Sequence, residues 1–324
     1  MSLLASQITI AVTVYSRRQF IKQAVASALN QSIPVRVIVV EDCGPDLTLE
    51  SFVKDEFGPR IEYIRNPRRR GLFGNWNACV DLCGTEWMTI LHDDDFLAPE
   101  FIEAMIELEG ELPGCALYLG RTLIVDESGK LIPGQDDLMV PGRSLKRNLT
   151  DILYGPFSFP GHLFRASDAQ AVGGFRETSF MCGDWEMWAK LMALGGAAQS
   201  NRVVAFNRTH EGWDRGSNQA FRSGRYLPTA LAQHKRILAL LAKSRALKFD
   251  RMKWQRRFPM STRFLLRYGR TLSPRLLRYH VGLLLLSPAP HWRYALFQKM
   301  ARVGGVGFVR FASKMWRWMN SNAD

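Results

Sequence analysis

Residues 87–95 read Trp87-Met88-Thr89-Ile90-Leu91-His92-Asp93-Asp94-Asp95, an apolar run that stops abruptly at three consecutive carboxylates. A short apolar stretch with polar boundaries fits a buried parallel strand. Ligands of open α/β sheets collect just beyond the carboxyl ends of such strands. Asp93, Asp94 and Asp95 therefore crowd negative charge into a small volume at the ligand edge. Crowded carboxylates repel one another, and a hard divalent cation relieves the repulsion. A plainer use is capping, with Asp95 opening the helix that Pro99 introduces. Capping needs one acid, so the run points to a metal site.

Outward from this strand the chain alternates strand and helix. Ile8 to Val14 reads as a strand, followed by helical spacing through Phe20, Ile21, Ala24, Val25, Ala28 and Leu29. Val35 to Val40 is a second strand, Leu49 to Phe57 a helix, Ile61 to Ile64 a third strand, and Phe73 to Leu82 a helix. Strands separated by helices of this length predict βαβ units, a mostly parallel sheet and right-handed crossovers. From Asp126 to Asn148 the pattern reads as a loop excursion. A helix is expected from Asp184 to Ala193 and a strand from Arg202 to Phe206.

The chain has 324 residues and a net charge of +13, unevenly distributed. Residues 1–220 carry 21 Lys and Arg against 28 Asp and Glu, whereas residues 221–324 carry 22 against 2. An acidic body with a basic tail implies different tasks for the two parts. The expected division is a body over 1–220, in two halves at 1–125 and 126–220, then a basic helical region over 221–324. Five scattered cysteines fit a reduced, cytosolic protein, and no signal peptide is expected. No apolar run approaches the ~20 residues that span a bilayer.

The segments after the first four strands can share one edge. They bring Tyr15-Ser16-Arg17, then Asp42, then Asn66 to Gly71 with Arg68, Arg69 and Arg70, then the Asp cluster. An aromatic face, an acid for ribose or base donors, arginines and a metal together suit a nucleoside diphosphate, whose phosphate oxygens match the guanidinium fork. Further on, Asp184 and Glu186 stand two apart at a helix start, so they face different ways. One can enter a cleft while the other faces solvent or caps. Asp184 as a plain N-cap is the alternative.

In their order, these motifs resemble the family 2 glycosyltransferases of the GT-A fold. The likeness runs from Val14-Tyr15-Ser16-Arg17 through Glu41-Asp42-Cys43-Gly44, Asn66 to Asn75 and Leu91-His92-Asp93-Asp94-Asp95. It continues through Val172-Gly173-Gly174-Phe175 and Gly183-Asp184-Trp185-Glu186 to Arg208-Thr209-His210. The resemblance implies a Rossmann-like α/β fold and an inverting sugar transfer from a nucleoside diphosphate sugar, expected to be a UDP-sugar. The acceptor is a hydroxyl on a glycan or lipid-linked molecule, in surface polysaccharide or lipopolysaccharide synthesis. It implies Asp42 at the nucleotide base, Asp94 at the ribose, Asp95 with Asp93 and His210 at Mn²⁺ or Mg²⁺, and Asp184 as catalytic base. Tyr15, Arg17 and Arg70 complete the expected donor site.

Three departures stand out. Glu-Asp-Cys-Gly replaces the usual Asp-Asp-Gly-Ser, His92 replaces the first acid of Asp-x-Asp-Asp, and Gly183 replaces the Glu before the base. A nucleotidyltransferase is the first alternative, but Thr13 to Phe20 lacks the glycines of a phosphate loop. A nucleic-acid binder acting through the tail leaves the acids unexplained, so no nucleic acid is expected. In the tail, Phe308, Phe311, Met315 and Trp318 fall on one helical face beside Arg310, Lys314 and Arg317, with Trp316 near the boundary. That composition suits a helix at an anionic membrane surface, with Leu283 to Leu286 as a second apolar contact, or else a face packed on the domain. The expected location is cytoplasmic, peripheral on the membrane's cytoplasmic face.

Overall fold

A computed structural model of the chain describes residues 3–132, 144–147, 158–179 and 181–209, the single positions 149 and 152, and scattered helical residues between 229 and 312. The chain divides into two compact units, Met1–Gly212 with Gln233–Ser244, and Trp213–Ala232 with Arg245–Asp324. Every element named below belongs to the first.

Strand β1 (Ile8–Val14) is buried at all seven residues, as a parallel strand covered on both faces must be. It lies between β2 (Arg36–Glu41) and β4 (Trp87–His92), parallel to both, and β2 pairs in parallel with β3 (Glu62–Arg65). The connecting helices are α1 (Ile21–Leu29), α2 (Leu49–Phe57) and α3 (Leu72–Leu82). Helix α1 buries Ile21, Ala24, Val25 and Ala28, and α2 buries Leu49, Val53 and Phe57, each a helical stripe against the sheet. The chain runs outward from β1 to β3 and then returns to β4 on the other side of β1. The carboxyl ends of β1 and β4 therefore flank a topological switch point, where a crevice opens.

Beyond β4 the sheet changes character. Its order is β3-β2-β1-β4-β8-β6-β9-β5, with β7 also on β9. The added strands are β5 (Phe96–Leu97), β6 (Leu117–Val125), β7 (Leu145–Arg147), β8 (His162–Arg165) and β9 (Ala197–Arg208), and β8 runs antiparallel to both β4 and β6. Helices α4 (Phe101–Glu111), α5 (Ala166–Ala171) and α6 (Gly183–Gly195) accompany them.

The departures from sequence expectation lie mostly here. Asp95 caps no helix, because β5 follows it and α4 begins only at Phe101, with Glu100 at its N-cap. The expected loop from Asp126 carries a tight turn, in which Asp126 Oδ1 accepts the N–H of Ser128 and Lys130, and the short strand β7. Strand β9 is twelve residues long and begins at Ala197, ahead of the expected Arg202, because β6 and β7 flank it and supply ladder partners to a polar segment. At the end of β2, Gly44 packs so closely that a Cβ would lie 1.8 Å from the carbonyl oxygen of Tyr15, which joins the exits of β1 and β2. Among the described residues, no helix is long and apolar enough to cross a membrane.

Candidate active site

Four strand exits build the site. After β4 the carboxylates turn into the crevice, and Asp93, Asp94 and Asp95 are all buried. From the end of β1, Arg17 reaches over with Nη1 3.1 Å from Asp93 Oδ1 and 2.5 Å from Asp94 Oδ2. From β9, Asn207 Nδ2 donates to both oxygens of Asp95 at 3.1 and 3.3 Å, and the Arg208 backbone N–H donates to Oδ1 at 2.9 Å. The Arg208 guanidinium donates at Nε to the Asp94 carbonyl (2.8 Å), at Nη1 to the Glu127 carbonyl (2.6 Å) and at Nη2 to Gln23 Oε1 (2.5 Å). It thus fixes the backbone of the acidic turn while its N–H groups go to neutral oxygens.

The electrostatic balance is unfavourable to three free carboxylates. Burial, and then the charge of Asp94, pushes the Asp93 carboxyl up to about 7 and raises Asp95 as well. Burial alone would lower the pKa of His92, but its hydrogen bond to Asp95 and the charge of that carboxylate outweigh burial and raise it. His92 Nδ1 lies 3.4 Å from Asp95 Oδ2. One ligand atom each from His92, Asp94 and Asp95 falls within 4.8 Å of the others, compact enough for a single ion bound at about 2.0–2.3 Å. Two hard carboxylate oxygens and one imidazole nitrogen suit a divalent metal. Asp93 stands outside this trio, and Arg17 bonds both it and Asp94.

The imidazole of His92 belongs to an aromatic stack. The Phe159 ring lies 4.3 Å from it at 4° and 4.1 Å from Trp76 at 23°, while Trp76 and His92 stand 5.3 Å apart. Phe159 therefore lies across both.

The other expected donor residues serve the arginine loop. Asp42 accepts the backbone N–H of Arg70 at 2.6 Å on Oδ1 and that of Gly71 at 2.8 Å on Oδ2. Asn66 bonds Asn75 at 2.8 Å, and Asn75 Nδ2 reaches the Val40 carbonyl at 3.1 Å. Asp42 thus shapes the loop that carries Arg68, Arg69 and Arg70. Arg69 lies over the Tyr15 ring at 4.5 Å, and Arg70 is 3.6 Å from Glu177.

Asp184 is the second residue of α6, whose N-cap position is Cys182, so the plain N-cap reading does not hold. Burial raises its carboxyl to about 6, although the N–H groups of Asp184 and Trp185 pull the other way. The charge of His92 also lowers it, so the two side chains share one electrostatic environment. Gly183 cannot readily hold a larger residue, since a Cβ there would meet the Phe73 ring at 2.4 Å. Glu186 neither caps nor faces solvent. It is buried, forms three hydrogen bonds of 2.6–3.0 Å with Arg176, and lies 3.6 Å from Arg236.

His210, with Met315 and Trp318 of the tail, lies outside the described residues. The residues that sequence reasoning missed are Phe159, Trp76, His162 and Asn207. An isolated aromatic, histidine or asparagine carries no pattern that announces a site. Arg208 stood in a quoted motif without a role.

The family model described as Glycosyl transferase family 2 matches residues 9–173. The chain is 35% identical over 126 residues to the succinoglycan biosynthesis protein ExoO of Rhizobium meliloti, covering 38% of this chain and 35% of that protein. It is 27% identical over 212 residues to a chondroitin synthase of Escherichia coli, covering 63% and 29%. The chain thus spans about a third of the length of these relatives. Its fold is similar to that of S. aureus TarS 1–349 in complex with UDP, with a TM-score of 0.63 at 14% identity over 96% of this chain and 91% of that one. The same TarS segment with UDP-GlcNAc gives 0.56 at 16% identity, over 96% and 92%.

The charge balance at Asp93 has a measurable consequence. An unfolded Asp ionises near pH 3.9, whereas folded Asp93 keeps its proton to about 7. Between these values the folded state binds the extra proton, so its stability falls as pH rises through the window. Asp93→Asn is therefore expected to raise the metal-free melting temperature at pH 8 by about 2 °C or more, and to change it little at pH 4. Differential scanning fluorimetry at both pH values checks this. A lower melting temperature at pH 8 would show that the bond to Arg17 outweighs the repulsion.

Proposed function

Because the chain belongs to glycosyl transferase family 2, we propose that it transfers a sugar from a nucleoside diphosphate sugar to a hydroxyl acceptor, with inversion at the anomeric carbon. The observation that carries this reading is that Arg17 contacts Asp94 of the compact His92–Asp94–Asp95 group, and that the charge of His92 acts on the buried Asp184. A UDP-sugar donor is supported by the complexes of the similar TarS fold with UDP and UDP-GlcNAc. Polysaccharide synthesis as the setting is supported by the names of the succinoglycan and chondroitin relatives.

In this reading His92, Asp94 and Asp95 hold Mn²⁺ or Mg²⁺, with His210 as a further ligand from its place in the motif order. When bound, the ion supplies Lewis-acid stabilisation of the negative charge that develops on the departing diphosphate. Arg17 is released from Asp93 and Asp94 in part and turns its free N–H groups to phosphate oxygens. Arg68, Arg69 and Arg70, on the loop that Asp42 shapes, line the approach of the same anion, with Tyr15 beside the base. Asp94 keeps its expected ribose contact through its second oxygen. Asp184 removes the proton from the acceptor hydroxyl as that oxygen attacks the anomeric carbon from the face opposite the leaving group. A carboxyl titrating near 6 is well suited to this, being ionised at neutral pH yet more basic than an ordinary aspartate.

We also propose the division near residue 220, with Gln233–Ser244 assigned to the catalytic unit, and a basic region that brings the enzyme to an anionic membrane surface. Electrostatic attraction of this kind is worth about 1 kcal/mol per engaged Lys or Arg and weakens with salt. Co-sedimentation of the full chain and of a truncation after Ser244 with anionic liposomes tests it. The full chain should pellet at low salt and dissociate at high salt, and equal partitioning of the two proteins would leave the basic region without this role.

Asp95→Asn keeps the side-chain volume and removes a ligand charge. Mn²⁺-dependent UDP binding should fall at least tenfold by calorimetry, with little loss in ligand-free melting temperature. Unchanged metal-dependent binding would sink the assignment.

Asp184→Asn should retain UDP binding and lose about 10²–10⁴-fold in transfer rate. Since only the ionised form accepts a proton, the wild-type rate should rise with pH and reach half its maximum near 6. A loss below tenfold, or a rate flat between pH 5 and 8, would remove Asp184 as the base.

A further inference from the structure

His162, on β8, is fully buried, and both its ring nitrogens meet backbone groups. The N–H of Ile90, on β4, donates to Nε2 at 3.1 Å, so Nε2 presents its lone pair. The proton of the neutral ring then sits on Nδ1, which donates to the carbonyl of Phe159. Burial keeps the ring neutral by pushing its pKa down to about 3. Two backbone groups thus select one tautomer.

The two bonds do different work. Strands β4 and β8 pair through Trp87↔Arg165 and Met88↔Phe164, and beyond that point the imidazole takes the N–H that a ladder partner would take. That bond serves the sheet. The bond to Phe159 fastens the residue whose ring lies flat across His92 and Trp76. A flat neighbour at 4.3 Å prevents the His92 imidazole from rotating out of the plane in which Nδ1 faces Asp95.

We propose that His162 is a positioning residue for the site: through Nδ1 it anchors Phe159, whose ring holds the His92 imidazole against Asp95. The proposal deepens, and rests on, the metal-site reading of His92, Asp94 and Asp95. Partners that orient a metal-binding imidazole from outside the ligand set alter metal affinity by about 10–100-fold when removed.

The two bonds can be removed separately. His162→Asn keeps a donor close to the position of Nδ1 and has no atom near Nε2. His162→Gln places an acceptor near Nε2 and offers no donor at Nδ1. Three measurements on the full chain distinguish them. The first is the melting temperature. The second is the Mn²⁺ dissociation constant by electron paramagnetic resonance. The third is the emission of Trp76, obtained as the difference from a matching Trp76→Phe protein, because an imidazole held against an indole quenches its fluorescence.

His162→Asn should retain both the quenching and Mn²⁺ affinity within about twofold of wild type. His162→Gln should lose the quenching and bind Mn²⁺ at least about tenfold more weakly, with a melting temperature no lower than that of the Asn variant. Equal behaviour of the two variants, or losses that follow melting temperature alone, would overturn the proposal and leave His162 as a sheet residue. A wild-type protein that binds no Mn²⁺ would overturn the metal reading instead, and the Trp76 emission would still decide whether His162 sets the stack.

Discussion

Three carboxylates at the end of one buried strand are the constraint around which this half of the molecule is arranged. Charges so close and so poorly solvated need compensation. The fold supplies it from three directions: Arg17 from β1, the N–H groups of Asn207 and Arg208 from β9, and His92 from the strand itself. The compensation is partial, since Asp93 and Asp95 remain displaced toward the protonated form. An incompletely neutralised, rigidly held set of oxygens is what a site for a divalent ion and an anionic leaving group requires.

The rigidity comes from the second half of the chain. Arg208 is buried, lies 4.6 Å over the Phe20 ring and 5.4 Å from that of Phe96, and grips three oxygens from separate parts of the fold. It joins α1, the acidic turn and the segment after β6. The division of labour follows the sheet. The first four strands present the acids and the arginine loop at their carboxyl ends, and β9, parallel to β6, clamps the turn through Asn207 and Arg208.

The departures from the family pattern have local physical reasons. Gly183 stands in place of an acid because the Phe73 ring already occupies the space beside it. Cys43 stands in place of a glycine at φ 49°, a left-handed conformation that costs a non-glycine residue about 1–2 kcal/mol. Its neighbours hold it there: Asp42 is bonded to the Arg70–Gly71 backbone, and Arg65 reaches the Gly44 carbonyl at 2.7 Å. Cys182, at φ 60°, is strained in the same way two residues before Asp184. Both strained residues lie within two positions of proposed functional acids, where such strain tends to concentrate.

The sequence by itself determined the parallel half and the order of acids and arginines along its edge. Ile8–Val14 and Leu49–Phe57 match their expected bounds, because apolar periodicity is a local property and decides local structure. The order of acids and arginines after successive strands was likewise readable, since each follows directly from an element with a clear signal. Only the tertiary structure decided the rest. Strand β9 begins in a polar stretch and exists because β6 and β7 offer it ladder partners. Arg17, more than seventy residues away in sequence, bonds both Asp93 and Asp94. His92 lies flat against the Phe159 ring, and His162 bonds the Phe159 carbonyl just beyond the last residue pair of β4 and β8. These are choices between partners distant along the chain, and a one-dimensional pattern holds no record of which partner arrives.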